Sequence, residues 1–382
     1  MVLPSKVNSI VRDILDLLKP NKVYLNSFKF YQKSILFEGG TFDIKGRVHI
    51  FSLGKAASFE ALAFRSLLEG SGDVEIASCV SYTKKDHLVD DDRMYQLAGS
   101  HPLLTEENLE LSKVFVDSLS HIPASDSLVF LLSGGGSALL EIPRDNMTFD
   151  DLQNKHKDLL ESGQNINEMN AQRKVLSLVK NGGLLDHIKT RNILQLITCD
   201  IPNENIFDVS SGPLLKEGSD DNPLTITTQS ASRLLESIAK KEGFIDKGVH
   251  DGKLEDYLQT FVNNLPVGND IFVSGGELTI NVTSDSGKGG RSTHFVLSLA
   301  DEIYKDSKNH NVHILSFGTD GTDGPTDAAG AYINYSMYNG EKVKDSLSNF
   351  DSYNYFHEVG GLIKTGPTMN NLMDIRFIWR EN

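Results

Sequence analysis

The chain has 382 residues and a net charge of −15, with 37 Lys and Arg against 52 Asp and Glu, which argues against general nucleic-acid binding and means that a site for anions must gather its basic residues locally. Apolar content of 39% and charged content of 23% suit sizeable cores, and the length favours two domains over one. Cys79 and Cys199 form no metal motif or disulfide framework, and no apolar run approaches the ~18 residues of a membrane span; a reducing, cytoplasmic compartment is expected.

In chain order, Met1 to Pro20 lacks a compact apolar core and reads as an amphipathic helix over Ser5–Leu18, not a signal peptide. RVHIFSLGKAASFEALAFRSLLEG, from Arg47, reads as a strand at Val48–Phe51, the pair Gly54-Lys55, and a helix over Ala56–Glu69. A lysine at that junction can reach a cleft as a point charge. As a plain surface lysine it would oppose the helix dipole. A strand at Glu75–Val80 and a helix at Glu106–Ser118 follow. LVFLLSGGGSALL then gives a strand at Leu128–Leu132, three glycines, and Ser137 opening an apolar, helical segment. Such a turn offers backbone N–H groups and a helix N-terminus to phosphate. It is not G-x-x-x-x-G-K-[ST], and Leu139 stands where G-x-G-x-x-G needs its last glycine.

A helix at Asn170–Val179 and a strand at Ile193–Ile197 lead to Asp200, which can ligate a cation or close an Asx turn. Ser211–Pro223, rich in Gly, Asp and Pro, is the boundary candidate. Beyond a helix at Ser232–Lys241, strands at Asp270–Val273 and Leu278–Val282 flank Gly275-Gly276. SGKGGRS puts Lys288 and Arg291 on a glycine-rich loop, suited to clamping a transferring phosphoryl group; the competing reading is a solvated basic loop. Last, a strand at Val312–Phe317 empties into Gly318–Gly330, which holds four glycines, three aspartates and three threonines. Strand ends rich in Gly and Asp are poor core and good ligand loops in open α/β folds. Strands alternating with helices point to parallel sheets. None of the 11 histidines pair at metal-ligand spacing, and no G-x-S-x-G elbow exists.

These segments resemble the glycerate 2-kinase family with its MOFRL-type C-terminal half. The matching pieces, in order, are LGKAA (Leu53–Ala57), GSHPL (Gly99–Leu103), LLSGGGSAL (Leu131–Leu139), SGQNINEMNAQRK (Ser162–Lys174), SSGP (Ser210–Pro213), SGGELTINV (Ser274–Val282), GKGGR (Gly287–Arg291), GTDGTDGPTDAAGA (Gly318–Ala331) and KTGPT (Lys364–Thr368). The resemblance implies an α/β fold of two domains, 1–225 and 226–382, each with a mostly parallel sheet flanked by helices and with the active site in the cleft between them. It implies ATP-dependent phosphorylation of D-glycerate at its 2-hydroxyl, with Mg²⁺ or another divalent cation. Lys55 and Arg291 match the family's essential lysine and arginine. Asp320 or Asp200 would orient the acceptor hydroxyl, and the same two would bind metal. Nucleotide contacts would come from Ser133, Gly134, Gly135, Gly136, Ser137, Lys180, Gly275, Gly276, Glu277, Lys288 and Thr319. The family's acid-amide pattern after GGR is replaced by Ser292, Thr293 and His294, and the threonine of its SGPT by Leu214. No nucleic acid or membrane partner is implied, and a homodimer is left open. The other classes are a hydroxypyruvate or tartronate oxidoreductase, which lacks its nicotinamide fingerprint here, and a non-catalytic sugar-acid or nucleotide sensor.

Overall fold

Six segments of the first part of the chain pair as one sheet in the computed structural model, which describes residues 3–144, 147–161, 172, 174–282, 286–368, 370 and 372–381. The strands are β1 (Val48–Leu53), β2 (Ile76–Lys84), β3 (Tyr95–Gly99), β4 (Ser127–Leu132), β5 (Ile193–Cys199) and β6 (Leu224–Ser230). Their order is β3-β2-β1-β4-β5-β6. The pairs β1–β2, β2–β3, β1–β4 and β4–β5 are parallel. Every residue of β1 and β4 is buried, as strands covered on both faces require. Alternation sorts their side chains. Val48, Ile50, Val129 and Leu131 pack with Phe64 and Leu68 of the helix Ala57–Ser71. Phe51, Leu53, Leu128 and Phe130 pack with Phe115 and Leu119 of the helix Glu106–Ser120. The order reverses direction between β1 and β4, and the crevice at their carboxyl ends is where such sheets bind ligands. A small antiparallel meander, Phe28–Tyr31, Ser34–Phe37 and Gly40–Asp43, was not foreseen from the sequence.

The second sheet contains β7 (Ile245–Val249), β8 (Ile271–Gly276), β9 (Val312–Gly318), β10 (Gly330–Ile333), β11 (Leu362–Ile363) and β12 (Asp374–Arg380), in the order β7-β8-β12-β9-β10-β11. Only β7–β8 is parallel; the other four pairings are antiparallel. The expected mostly parallel sheet is therefore corrected here. A loop without a helix joins β9 to β10, and a parallel partner would need a crossover. The last strand, β12, then enters between β8 and β9 against both. The expected strand Leu278–Val282 shortens to Leu278–Thr279, paired with Gly252–Lys253.

The chain forms two compact units. One is Pro20–Gln229; the other takes the helix Ser5–Leu17 and everything from Ser230 on. Val7, Ile10, Val11 and Ile14 of that helix are buried, a helical stripe, and they join the core that holds Phe377, Ile378 and Trp379. The motif Ser162–Lys174 and the start of the helical segment Asn170–Val179 fall largely outside the described residues.

Candidate active site

In the unit Pro20–Gln229, β1 and β4 end side by side and their exits interlock. Ser133 N–H donates to Leu53 O at 3.0 Å, Lys55 N–H to Gly134 O at 2.9 Å, and Ala56 N–H to Ser133 Oγ at 3.2 Å. Gly54 has φ +125°, and a Cβ there would lie 2.4 Å from Ser133 O, so a side chain cannot fit. The turn Ser133–Ser137 is braced by the SSGP segment. Ser210 Oγ donates to Ser133 O at 2.7 Å and accepts from Gly136 N–H at 2.9 Å, and the Ser137 and Ser211 hydroxyls are 2.7 Å apart. Ser210 and Ser211 sit at φ 50° and 65°, a left-handed conformation that costs non-glycine residues on the order of 1 kcal/mol or more. The expected helix after Ser137 is corrected: it is one turn, Gly136–Leu139, because Leu140 is extended. Any anion affinity there rests on the turn's amides, not on a helix dipole.

The Lys55 side chain crosses Gly135, where a Cβ would lie 2.9 Å from Lys55 Cγ and 3.0 Å from His101 Nε2. The Lys55 ammonium has no hydrogen-bond or ion-pair partner among the described residues. Its carbonyl is fixed by Thr83 Oγ1 at 3.2 Å and by the His87 ring at 2.6 Å. Asp200, just past β5, lies against the same turn: a Cβ on Gly134 would be 1.7 Å from its Oδ2. Lys55, Asp200 and the glycine turn are thus brought together at the sheet's reversal point. Two neighbours were missed from the sequence. His101 follows β3, a five-residue strand that the pattern of YQLAG does not announce. Glu60, in the first turn of the helix Ala57–Ser71, is buried and accepts from Thr198 Oγ1 at 2.6 Å; burial lifts its pKa to about 7 against hydrogen bonds from Thr198 and Ser133. Lys180 stands apart from the expected open phosphate contact. It is 8% exposed, with Nζ 2.5 Å from the buried Glu141 carboxylate, and a buried acid needs that charge.

In the other unit Arg291 opens the helix Arg291–Ile303. Its Nε donates to Asp374 Oδ2 at 2.8 Å and its Nη1 to Glu277 Oε1. Burial works against its charge, but Asp374, Glu277 and Asp320 outweigh it and raise its pKa. Gly275 and Gly276, ending β8, give their carbonyls to the buried Arg376 at 2.9 and 2.7 Å. The three aspartates of the Gly-Asp loop part ways. Asp320 is half-buried and accepts from Thr322 N–H at 2.9 Å. Asp323 caps the Arg291 helix, taking Ser292 and Thr293 N–H at 2.8 Å each, and burial raises its pKa to about 6. Asp327 binds Lys364 at 2.8 Å and Tyr353 at 2.6 Å. Thr319 differs from its expected role as a nucleotide contact: it is fully buried, donating to Met373 O at 2.8 Å and accepting from Leu372 N–H at 2.7 Å. Lys288 lies on the surface with Nζ 4.1 Å from the Tyr353 ring centroid. No three His, Cys, Asp or Glu side chains group as a metal cage among the described residues. A magnesium ion held partly by substrate phosphates needs only one or two carboxylates, so Asp200 in the one unit and Asp320 in the other each carry suitable donor chemistry by themselves.

The family model described as a domain of unknown function (DUF4147) matches residues 6–240, and that of the MOFRL family matches residues 270–374. A glycerate 2-kinase of Pyrococcus horikoshii is 29% identical, covering 96% of this chain and 94% of its own. An Agrobacterium vitis protein with the provisional name of hydroxypyruvate reductase is 30% identical, covering 87% and 99%. The crystal structure of a glycerate kinase from Thermotoga maritima superposes with a TM-score of 0.80 at 25% identity, over 98% of this chain and 99% of the other. No helix of the described residues is long and apolar enough to cross a membrane.

Proposed function

This chain belongs to the glycerate 2-kinase family, and from that membership we propose that it transfers the terminal phosphoryl group of ATP to the 2-hydroxyl of D-glycerate, giving 2-phosphoglycerate and ADP. The observation that carries the reading is the Lys55 ammonium, unmatched by any described acid, lying across the Ser133–Ser137 turn beside Asp200. Phosphoryl transfer asks for positioning and charge more than for covalent chemistry. Lys55 neutralises charge near the transferring group, and the turn's amides other than those of Ser133 and Gly136, which are bonded internally, hold phosphate oxygens. Arg291, kept rigid by Asp374 and Glu277, offers its remaining donors to a carboxylate or phosphate, with Gly275, Gly276 and Lys288 on the nucleotide side. Asp200 or Asp320 would hold Mg²⁺ or another divalent cation, which would supply charge neutralisation to the phosphate oxygens. Lys180 and Thr319, whose polar groups are spent internally, are left out.

The test is incubation with ATP, Mg²⁺ and D-glycerate, coupled through enolase without phosphoglycerate mutase. Direct formation of phosphoenolpyruvate is expected. Signal only after mutase is added would overturn the regiochemistry, and no ADP release would overturn the kinase. The strand order, which is that of dinucleotide-binding sheets, and the Agrobacterium relative's name favour reductase as the second reading. Against it, the turn after β1 runs Gly54-Lys55-Ala56-Ala57-Ser58 with no further glycine. NADH oxidation with hydroxypyruvate would bring it forward.

A further inference from the structure

His101 and Lys55 flank one glycine of the Ser133–Ser137 turn, since the point where a Gly135 Cβ would sit is 3.0 Å from His101 Nε2 and 2.9 Å from Lys55 Cγ. No described residue hydrogen-bonds the imidazole. The charged and titratable groups facing it are Lys55, Lys84, His87 and Asp86, of which Lys84 and Asp86 pair at 3.1 Å. Burial first, then Lys55, Lys84 and His87, hold its pKa down to about 4, with only Asp86 opposing. The ring is therefore neutral at neutral pH. A neutral imidazole keeps one nitrogen lone pair as an acceptor, and an imidazolium has none. An aspartate in this place would repel an anionic substrate; a neutral ring beside an ammonium does not.

We propose that His101 determines substrate specificity: its imidazole accepts a hydrogen bond from the hydroxyl of a small 2-hydroxy acid bound beside Lys55. The inference rests on the kinase reading and gives the hydroxyl contact to His101 in place of an aspartate. The lysine answers to charge, and the ring answers to the hydroxyl. Acids of the same size without a 2-hydroxyl then leave the ring without its donor.

The experiment measures calorimetric binding of D-glycerate and of 3-hydroxypropionate, which lacks the 2-hydroxyl, to the wild-type protein, His101→Phe and His101→Gln. The wild type is expected to prefer D-glycerate by about tenfold, the scale of one good hydrogen bond. His101→Phe should bring that ratio near one while 3-hydroxypropionate still binds. His101→Gln, whose amide oxygen can accept, should restore part of the ratio. A wild-type ratio near one, an unchanged ratio in His101→Phe, or an equal loss of both acids overturns the proposal. If the phenylalanine variant does not fold, His101→Gln against His101→Ala gives the same ratio. Failure of the wild type to turn over D-glycerate in the enolase-coupled assay would sink the kinase reading, and this inference with it; turnover with an unchanged ratio in the variant would sink the His101 contact alone.

Discussion

The Lys55 ammonium meets no acid among the described residues, whereas the Arg291 guanidinium is held between Asp374, at 2.8 Å, and Glu277. Lys55→Ala should accordingly lower kcat by about 10²-fold, the scale of one lost electrostatic stabiliser, and leave the thermal melt unchanged; a folded variant with wild-type kcat would make Lys55 a surface lysine. Arg291→Lys should lose most activity although the charge is kept, because an ammonium cannot copy a planar fork that spans two carboxylates. It should also cost about 1–3 kcal/mol of stability by leaving the buried Asp374 short of a partner, read by urea unfolding. Lys288→Ala, which removes a surface ring contact and a point charge at the rim, should be mild in both assays. Glu60 offers a pH prediction. Its carboxyl is raised from 4.5 to about 7 by burial, so the folded state holds the proton after the unfolded chain has released it. This stabilising difference is fully present below about 4.3 and is lost as pH rises toward 7, on the order of 3 kcal/mol in all. Glu60→Gln cannot titrate, so its stability relative to wild type should climb between pH 4.5 and 7 and then level off. A flat difference across that window would show that Glu60 stays ionised in the fold.

At the scale of elements, the turn Ser133–Ser137 works because two exits fit only without side chains. Gly134→Ala would drive a methyl into the Asp200 carboxylate, 1.7 Å away. Overpacking of this kind costs typically 1–3 kcal/mol, and the displaced Asp200 should lower kcat/KM; an alanine variant with wild-type kinetics and urea midpoint would detach Asp200 from the turn. This turn was legible in the sequence because VHIFSL and SLVFLL are short, apolar and β-rich, and glycine follows each. The helix after it was not, since SALL is long enough to suggest a helix and too short to make one beyond a single turn. His101 lies within the matching piece GSHPL, but YQLAG before it carries little apolar pattern, so its strand went unread and the histidine was given no role. The strand directions of the second sheet were hidden for another reason. DIRFIWR was not read as a strand, and nothing local to it says that it enters between β8 and β9. In the Gly-Asp loop the acids were visible and their uses were not: Asp323 is spent on a helix cap and Asp327 on Lys364 and Tyr353.

At the scale of the molecule, the helix Ser5–Leu17 belongs to the unit completed by Ser230 and beyond, and its buried stripe is part of that unit's core. Ile14 is 2% exposed. Ile14→Ala should destabilise by about 2–5 kcal/mol, as truncations of buried aliphatic side chains do, and the loss should appear as a lower urea midpoint by tryptophan fluorescence, since Trp379, the chain's single tryptophan, lies in the same core. An unchanged midpoint would mean that the helix is not needed by that core. The arrangement also sets a timetable for biosynthesis. The helix is synthesised more than 300 residues before Trp379, and at roughly 5–20 residues per second the interval is on the order of tens of seconds. Pro20–Gln229, continuous in sequence, can close its own sheet in that time. The apolar stripe of Val7, Ile10, Val11 and Ile14 meanwhile waits in water without its partners, which makes this helix a segment of the nascent chain that a holding chaperone would meet.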